Sequence, residues 1–422
     1  MEFFLIGLAV AMVGGLMLSR LTRLIHLPAV TAYLVAGLLL GPFCVGALQV
    51  QGLGFNSLAQ VETFKIVSQT ALGFIAFSMG NEFRLKQLKA MGKSAIIIGI
   101  LQAVITTIVV DIALIALHLC FPTMISIPCA ITLGAIASAT APAATMMVVR
   151  QYKADGPMTR LLMLVVAIDD AVGLLLFSVS FGIANALASG AVSILAVVVE
   201  PIVEIVLSLA LGAAMGWLLH RVEKFFHSRS KRMTISIAFV MLTVGLSMLE
   251  FKVGPVNCGF SLLLVCMMTG TIFCNVCPTS EELMERVENW TMPLNVLFFV
   301  LSGAELDLNV LAQPVTLIVG VVYIIARSLG KYYGAAFSCG MTHQPKPIVS
   351  HLGITLLPQA GVALGMSVTV AQTLGEGGQM VRNIVLFGVL IYELVGPTLT
   401  RIALTRAGDI QPKAAAVASS DD

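Results

Sequence analysis

Two aspartates stand side by side, Asp169-Asp170, near the middle of Leu161–Val179, a run otherwise free of charge. Such a run can cross a bilayer, since about 20 apolar residues rising ~1.5 Å each cover the hydrocarbon core. A carboxylate at that depth costs about 3 kcal/mol or more, and ionisable groups there usually mark an ion or proton path. Neighbours on a helix point about 100° apart. One aspartate can therefore face a neighbouring helix while the other faces a cavity, and the two titrate as a coupled unit. Arg327 and Lys331 also lie in one apolar run, VTLIVGVVYIIARSLGKYYGAAF. Being four apart, they share a helix face. Lys331, with Arg327 beside it, is the expected buried counter-ion, because an unpaired charge at this depth is prohibitive. Oxygen ligands suit a small hard cation. The candidates are the Asp170 and Asp169 carboxylates, the hydroxyls of Thr140 and Ser138, and carbonyls freed at helix breaks. Occupation of one site by either a cation or a proton suffices for exchange, provided the empty carrier cannot cross. The plainer alternative is a salt-bridge cluster that only fixes helix packing. Glu393, in Ile391-Tyr-Glu-Leu-Val-Gly-Pro397, reads either as a third acidic partner or as a packing group held by hydroxyls.

The elements that carry these residues must be membrane helices. Of 422 residues, 58% are hydrophobic and 11% charged, against about 25% charged in a soluble domain. This composition excludes a soluble enzyme or a nucleic-acid-binding protein. The first apolar run is too long for a signal peptide and is expected to be retained. Most of the eight cysteines lie in apolar stretches, where they act as small apolar residues. Cys274 and Cys277 form a lone C-x-x-C at a helix end, weak ground for metal or redox chemistry without a second ligand pair. The histidines are scattered, and none has ligand spacing with a partner.

Thirteen spans are expected: 2–20, 28–43, 63–80, 94–121, 126–149, 158–185, 190–219, 233–250, 256–275, 290–304, 312–339, 350–373 and 380–404. With the N-terminus outside, the inner loops hold Arg20 and Arg23, then Arg84 to Lys93, then Arg150, Lys153 and Arg160, then Arg221 to Arg232. Arg286, Lys346, Arg401, Arg406 and Lys413 follow on the same side, while Lys65, Lys252 and Arg382 remain outside. This positive-inside bias predicts an odd number of crossings with the C-terminus in the cytoplasm.

The sequence repeats itself. Phe77-Ser-Met-Gly80-Asn-Glu82-Phe-Arg-Leu85 resembles Val300-Leu-Ser-Gly303-Ala-Glu305-Leu-Asp-Leu308, and Ala139-Thr-Ala-Pro142-Ala-Ala144 lines up with Thr355-Leu-Leu-Pro358-Gln-Ala360. The offsets are 223 residues (80 to 303) and 216 (142 to 358). An odd number of spans separates the copies, so they cross in opposite senses, as in the inverted repeats of secondary transporters. Pro142 and Pro358-Gln359 interrupt the fifth and twelfth spans. Such breaks survive in a membrane only where they are buried in protein or line a cavity. Paired breaks in two halves point to a midplane site; the plainer reading is two ordinary proline kinks.

The segments T-A-P-A-A, I-D-D-A-V-G, F-V-L-S-G-A-E-L-D-L, L-G-K-Y-Y-G, L-P-Q-A-G-V-A-L-G and Y-E-L-V-G-P, in order over essentially the whole chain, resemble the monovalent cation/proton antiporters. The likeness is to their second branch, which includes bacterial Na⁺/H⁺ exchangers and K⁺-efflux relatives. It implies an all-α polytopic membrane protein of thirteen transmembrane helices, with inverted six-helix repeats and two broken crossing helices. Scaffold or dimerising helices would occupy 1–93 and 233–311, mobile core helices 94–187 and 312–406, a linker helix 188–232 and a cytoplasmic tail 407–422. The core would move against the scaffold like an elevator within a homodimer, in the lipid of a cell membrane, that of a bacterium above all. By the same resemblance Asp170 binds the cation or proton, Asp169 pairs with Lys331 when the cation is absent, and Thr140 supplies a hydroxyl to the Na⁺ at the unwound crossing. No cofactor is expected beyond the transported Na⁺ or Li⁺ and protons, with K⁺ as the alternative. An Asp-Asp pair with a core lysine implies electrogenic exchange. One departure stands out: some relatives carry a carboxylate after that threonine, where this chain has Ala141.

Other readings fit less well. Gated K⁺-efflux relatives carry a large cytosolic nucleotide-binding domain, which argues against ligand-gated efflux here but not against K⁺ as substrate. A Na⁺-coupled organic-anion symporter shares the broken-helix plan, yet adjacent aspartates and a lysine suit protons and metal cations better than a bulky anion. An intramembrane aspartyl protease needs two carboxylates facing each other across water, whereas neighbours on one helix diverge. A non-transporting sensor would keep the fold with a degenerate site; here the site is complete.

Overall fold

The computed structural model describes residues 2–22, 29–50, 52–86, 92–141, 145, 148–149, 152–188, 194–249, 251–253, 256–311 and 313–410. At some helical positions, Glu82 and Asp170 among them, only the backbone is described.

The chain is helical almost throughout. In order come α1 (Glu2–Thr22), α2 (Ala29–Leu40), α3 (Lys65–Met79), α4 (Lys93–Cys120), α5 (Ile127–Ala137), α6 (Pro157–Ala188), α7 (Ile194–Glu223) and α8 (Arg229–Ser247). Then follow α9 (Leu262–Val276), α10 (Ser280–Ala304), α11 (Pro314–Met341), α12 (Lys346–Thr355), α13 (Gly361–Thr373) and α14 (Gly375–Ala407), with single helical turns between some of them. Between α8 and α9 the chain turns through a short antiparallel hairpin, β1 (Phe251–Val253) and β2 (Val256–Cys258). Helix starts follow local chemistry. The Ser126 side chain accepts from Cys129 N–H ahead of α5, Ser261 does the same for Leu264 ahead of α9, and prolines stand in the first turns of α5 and α11.

Among the described residues, six helices are long and apolar enough to cross a membrane by length and composition. Their polarity runs inside out. On α11, Arg327 and Lys331 are fully buried while Ile325, Leu329, Tyr333 and Phe337 are exposed, as expected where the solvent is hydrocarbon.

Packing gathers the helices into two groups. Helices α1, α2, α3, α9 and α10 lie against one another, with α8 along α3, α9 and α10. Helices α4, α5, α6 and α11 to α14 form the other group, and α7 runs along α9 while also touching α6. The glycines of the repeated G-x-E motif set two close approaches in the first group. A Cβ on Gly303 would stand 2.1 Å from the Leu34 carbonyl oxygen, and one on Gly80 would stand 2.3 Å from that of Met267. Thus α10 meets α2 as the end of α3 meets α9, one contact in two copies. In the second group, Cβ atoms on Gly330 and Gly334 would stand 3.0 Å from Thr106 Cα and 3.1 Å from the Gln102 carbonyl oxygen. A side chain at either position would press on the α4 backbone, so glycine favours this close approach of α11 to α4, and that approach delivers Lys331 to the centre.

Candidate ion site at two broken helices

Helix α5 stops at Ala137 and α12 at Thr355, each partway through the second group. The stretches beyond them, 138–141 and 356–360, pass one another and are joined where Ala141 N–H donates to the Pro358 carbonyl at 2.8 Å. Thr145 Oγ1 adds a bond to the Thr355 carbonyl at 3.3 Å. A helix that ends leaves its last carbonyls without partners, and lipid offers none. The carbonyl ends also carry the negative pole of the helix dipole.

Arg327 answers this need. Its Nε donates to the Ala137 carbonyl at 3.0 Å, Nη2 to that of Ala139 at 2.9 Å and Nη1 to that of Leu357 at 2.7 Å. The guanidinium lies 4.4 Å over the Tyr392 ring, a cation–π contact. Gln359 Nε2 donates to the Ile136 carbonyl at 2.9 Å, and its Oε1 accepts from Tyr323 Oη at 3.3 Å. Arg327 was expected beside Lys331 as a counter-ion to the aspartates. Its hydrogen bonds go instead to backbone carbonyls, because the two broken ends present more unpaired acceptors than one lysine can serve. These two cationic side chains also bear on the departure at Ala141. The facing carbonyl ends are balanced by Arg327 and Lys331, and Ala141 packs with Ala360 and Val30.

Lys331 Nζ reaches the other side of the crossing. Its three protons are shared among four acceptors: Asp169 Oδ2 at 2.9 Å, Thr140 Oγ1 at 2.8 Å, Gln102 Oε1 at 3.1 Å and the Ser138 carbonyl. Asp169 further accepts from Thr140 Oγ1 and Gln102 Nε2. Asp169, Lys331 and Gln102 have no exposed surface, and Thr140 has 2%. An ion pair taken out of water is tolerable only when its remaining lone pairs and protons are also satisfied; here they are. The four oxygens around the ammonium are hard ligands, of the kind a small cation takes.

Of the residues expected at the site, Asp169, Thr140 and Lys331 come together. Ser138 contributes its carbonyl; the hydroxyl, expected as a ligand, donates instead to the Ala135 carbonyl at 2.7 Å, capping the end of α5. Glu393 shares no hydrogen bond with the cluster among the described residues. Its Oε2 accepts from Thr31 of α2 at 3.3 Å, and Oε1 has no partner among the described residues. The hydroxyl-held reading therefore fits it, since it faces the other helix group. Asp170 follows Asp169 on α6, but its side chain, like Pro142, lies outside the described residues. Pro358 and Gln359 sit in the non-helical stretch between α12 and α13. The sequence reading missed Gln102. A lone amide in Ile96–Val110 was the available signal, since a polar group in an apolar span demands a partner.

A cavity of about 1150 Å³ opens between the two groups at the end where α3, α5 and α14 begin. Glu62, Glu305, Asp307 and Glu376 line it, against Lys65 and Arg382, and Arg382 is paired with Glu305.

Residues 8–406 match the family described as sodium/hydrogen exchanger, transmembrane. The structure is similar to that of the sodium proton antiporter MjNhaP1 from Methanocaldococcus jannaschii at pH 8, with a TM-score of 0.71 at 18% identity, covering 96% of this chain and 99% of that one. An electron-microscopy structure of the same antiporter matches with a TM-score of 0.66 at 17% identity, over 96% and 98% of the two chains. At such identities the likeness is one of fold. A segment of 96 residues, 22% of this chain, is 36% identical to K(+) efflux antiporter 5 of Arabidopsis thaliana and spans 14% of that protein's length.

Proposed function

The chain belongs to the sodium/hydrogen exchanger family of cation/proton antiporters, multi-pass proteins of the membrane, and from that premise we propose that it exchanges Na⁺ or Li⁺ for protons with net movement of charge. Asp170 binds the cation or the proton, and Asp169 pairs with Lys331 while the cation is absent. The observation that carries this reading is the buried Lys331–Asp169 pair, set among Thr140, Gln102 and the Ser138 carbonyl where two helices break. When the ammonium withdraws, those oxygens are left as hard ligands, and a small cation can replace the lost charge. Protonation of the aspartates is the competing way to neutralise them, so cation and proton exclude one another.

The acid-lined cavity supports cation capture, since carboxylates concentrate cations at a mouth. Helices α2 and α3 touch the second group only sparsely, which supports an elevator motion of 94–187 and 312–406 against a scaffold of 1–93 and 233–311. We read the scaffold as the dimer surface, with thirteen crossings, an outer N-terminus and a cytoplasmic C-terminus in a cell membrane. The positive-inside bias of the loops supports this orientation. The partial likeness to a plant K(+) efflux antiporter supports a second reading, K⁺/H⁺ exchange by the same site.

Proteoliposomes presented with Na⁺, Li⁺ and K⁺ side by side test the proposal. Na⁺- and Li⁺-driven proton movement is expected, with current on a solid-supported membrane. Response to K⁺ alone would replace the first reading by the second. Exchange without current would overturn the electrogenic assignment, and no exchange with any of the three would overturn both readings.

A further inference from the structure

Helix α7 ends on a polar cluster that ion exchange does not use. His220 and Glu223 stand three apart in its last turn, on one face, and the chain leaving α9 brings Cys277 against them. One imidazole nitrogen, one carboxylate oxygen and the thiol sulfur lie within 4.8 Å of one another. All three side chains are buried, with 6%, 2% and 3% exposure. Among the described residues His220 Nδ1 has no hydrogen-bond partner, and a buried nitrogen left so costs about 1–3 kcal/mol. Glu223 is held from one side: the Arg232 guanidinium, whose Nε donates to the Phe226 carbonyl, forms an ion pair with Oε1 at 3.0 Å, and Thr279 Oγ1 donates to the same oxygen at 3.3 Å. Its Oε2 faces the Cys277 thiol at 3.5 Å.

We propose that His220, Glu223 and Cys277 form a binding site for a divalent transition-metal ion of the zinc class. Imidazole, thiolate and carboxylate together suit Zn²⁺, whereas Na⁺, Mg²⁺ and Ca²⁺ take oxygen alone. In a tetrahedral zinc site, with bonds of about 2.0–2.3 Å, ligand atoms stand about 3.5 Å apart. The three groups need to close by roughly 1 Å, which side-chain rotation can supply. Binding replaces the thiol proton, which leaves to water. The fourth position falls to a water molecule. Arg232 and Thr279 keep Glu223 Oε1, orienting the carboxylate so that Oε2 remains for the ion. The bound ion would tie the linker helix to the end of α9, on the side carrying Arg221, Lys224, Arg229 and Arg232. The lone C-x-x-C spacing is then incidental: the Cys274 thiol shares its proton between the Gly80 and Thr271 carbonyls and is not part of this cluster.

The test uses the full-length protein in detergent, loaded with Zn²⁺ and gel-filtered, or titrated with Co²⁺. About one zinc per chain is expected to remain, and Co²⁺ should give a thiolate-to-metal charge-transfer band. Cys277→Ser and His220→Gln should each lose both signals while staying monodisperse and competent in exchange. Cys274→Ser should keep both. The two losing variants alter different segments, α7 and the chain leaving α9, so misfolding of one leaves the other to decide. A wild-type protein that retains no zinc overturns the proposal, as does a Cys277→Ser variant that binds like wild type. Loss of the signals in Cys274→Ser would move the ion to the C-x-x-C pair and overturn it equally.

Discussion

Lys331 Nζ lies 2.9 Å from Asp169 Oδ2, with neither side chain exposed. The pair joins α11 to α6 through the gap where α5 and α12 stop. Removing the ammonium leaves Asp169 charged and dry, with Thr140 and Gln102 as its donors among the described residues. Lys331→Ala is expected to cost about 3–5 kcal/mol, the usual cost of breaking a buried pair. Thermal unfolding in detergent reads the change as a lower Tm. An unchanged Tm would show that Asp169 does not depend on this lysine.

Gln102 holds the pair from the opposite side, donating to Asp169 and accepting from Lys331. Gln102→Leu keeps the bulk and deletes both bonds. A loss of about 1–3 kcal/mol is expected, the cost of a buried polar group left without its partner. Exchange should slow as well, because the carboxylate is no longer oriented. Tm and dye-reported exchange, measured together, check both effects; wild-type values for both would reduce Gln102 to packing.

Asp170 is the carrier in the proposed cycle, so Asp170→Asn should abolish exchange while the protein still folds. Asparagine keeps the shape but can hold neither a proton nor a full ligand charge. Normal gel-filtration behaviour with no dye response in everted vesicles is the expected result. Exchange at wild-type rate would place the ion elsewhere.

Much of this is legible in the amino-acid sequence. Charges in apolar runs declare themselves, because lipid makes them too costly to keep without use, and Asp169 and Lys331 were found that way. The repeated G-x-E and the paired prolines pointed to the inverted plan, and the glycines of the repeat proved to be packing positions, α10 on α2 and the end of α3 on α9. The partner of Arg327 was not legible, because hydrophobic patterning says nothing about where a broken helix leaves its carbonyls. Likewise the spacing of His220 in the sequence says nothing of Cys277, which arrives from another helix.

Arg327 spans both broken ends with its planar fork, serving carbonyls of Ala137, Ala139 and Leu357. A lysine keeps the charge but not this geometry. Arg327→Lys is therefore expected to lower Tm, leaving at least one carbonyl unserved at about 1–3 kcal/mol. Arg327→Ala should be worse, since the charge facing the helix ends is lost too. If lysine restores full stability, charge alone matters and the fork does not.

The last described turn closes onto the start of α6. Asp409 Oδ2 accepts from Thr159 N–H at 2.6 Å and from Thr159 Oγ1 at 2.8 Å, while Asp155 N–H donates to the Asp409 carbonyl at 3.1 Å. A carboxylate at a helix N-terminus satisfies an orphan donor and complements the dipole. Because α6 carries the aspartate pair, this contact couples the end of α14 to the helix of the ion site. Asp409→Ala is expected to cost about 1 kcal/mol, and Asp409→Asn less, since the amide oxygen still accepts. Both substitutions should leave the cation preference of exchange unchanged. Paired melting curves and proteoliposome assays check this; equal losses for Ala and Asn would mean that charge, rather than the accepted bonds, secures the turn.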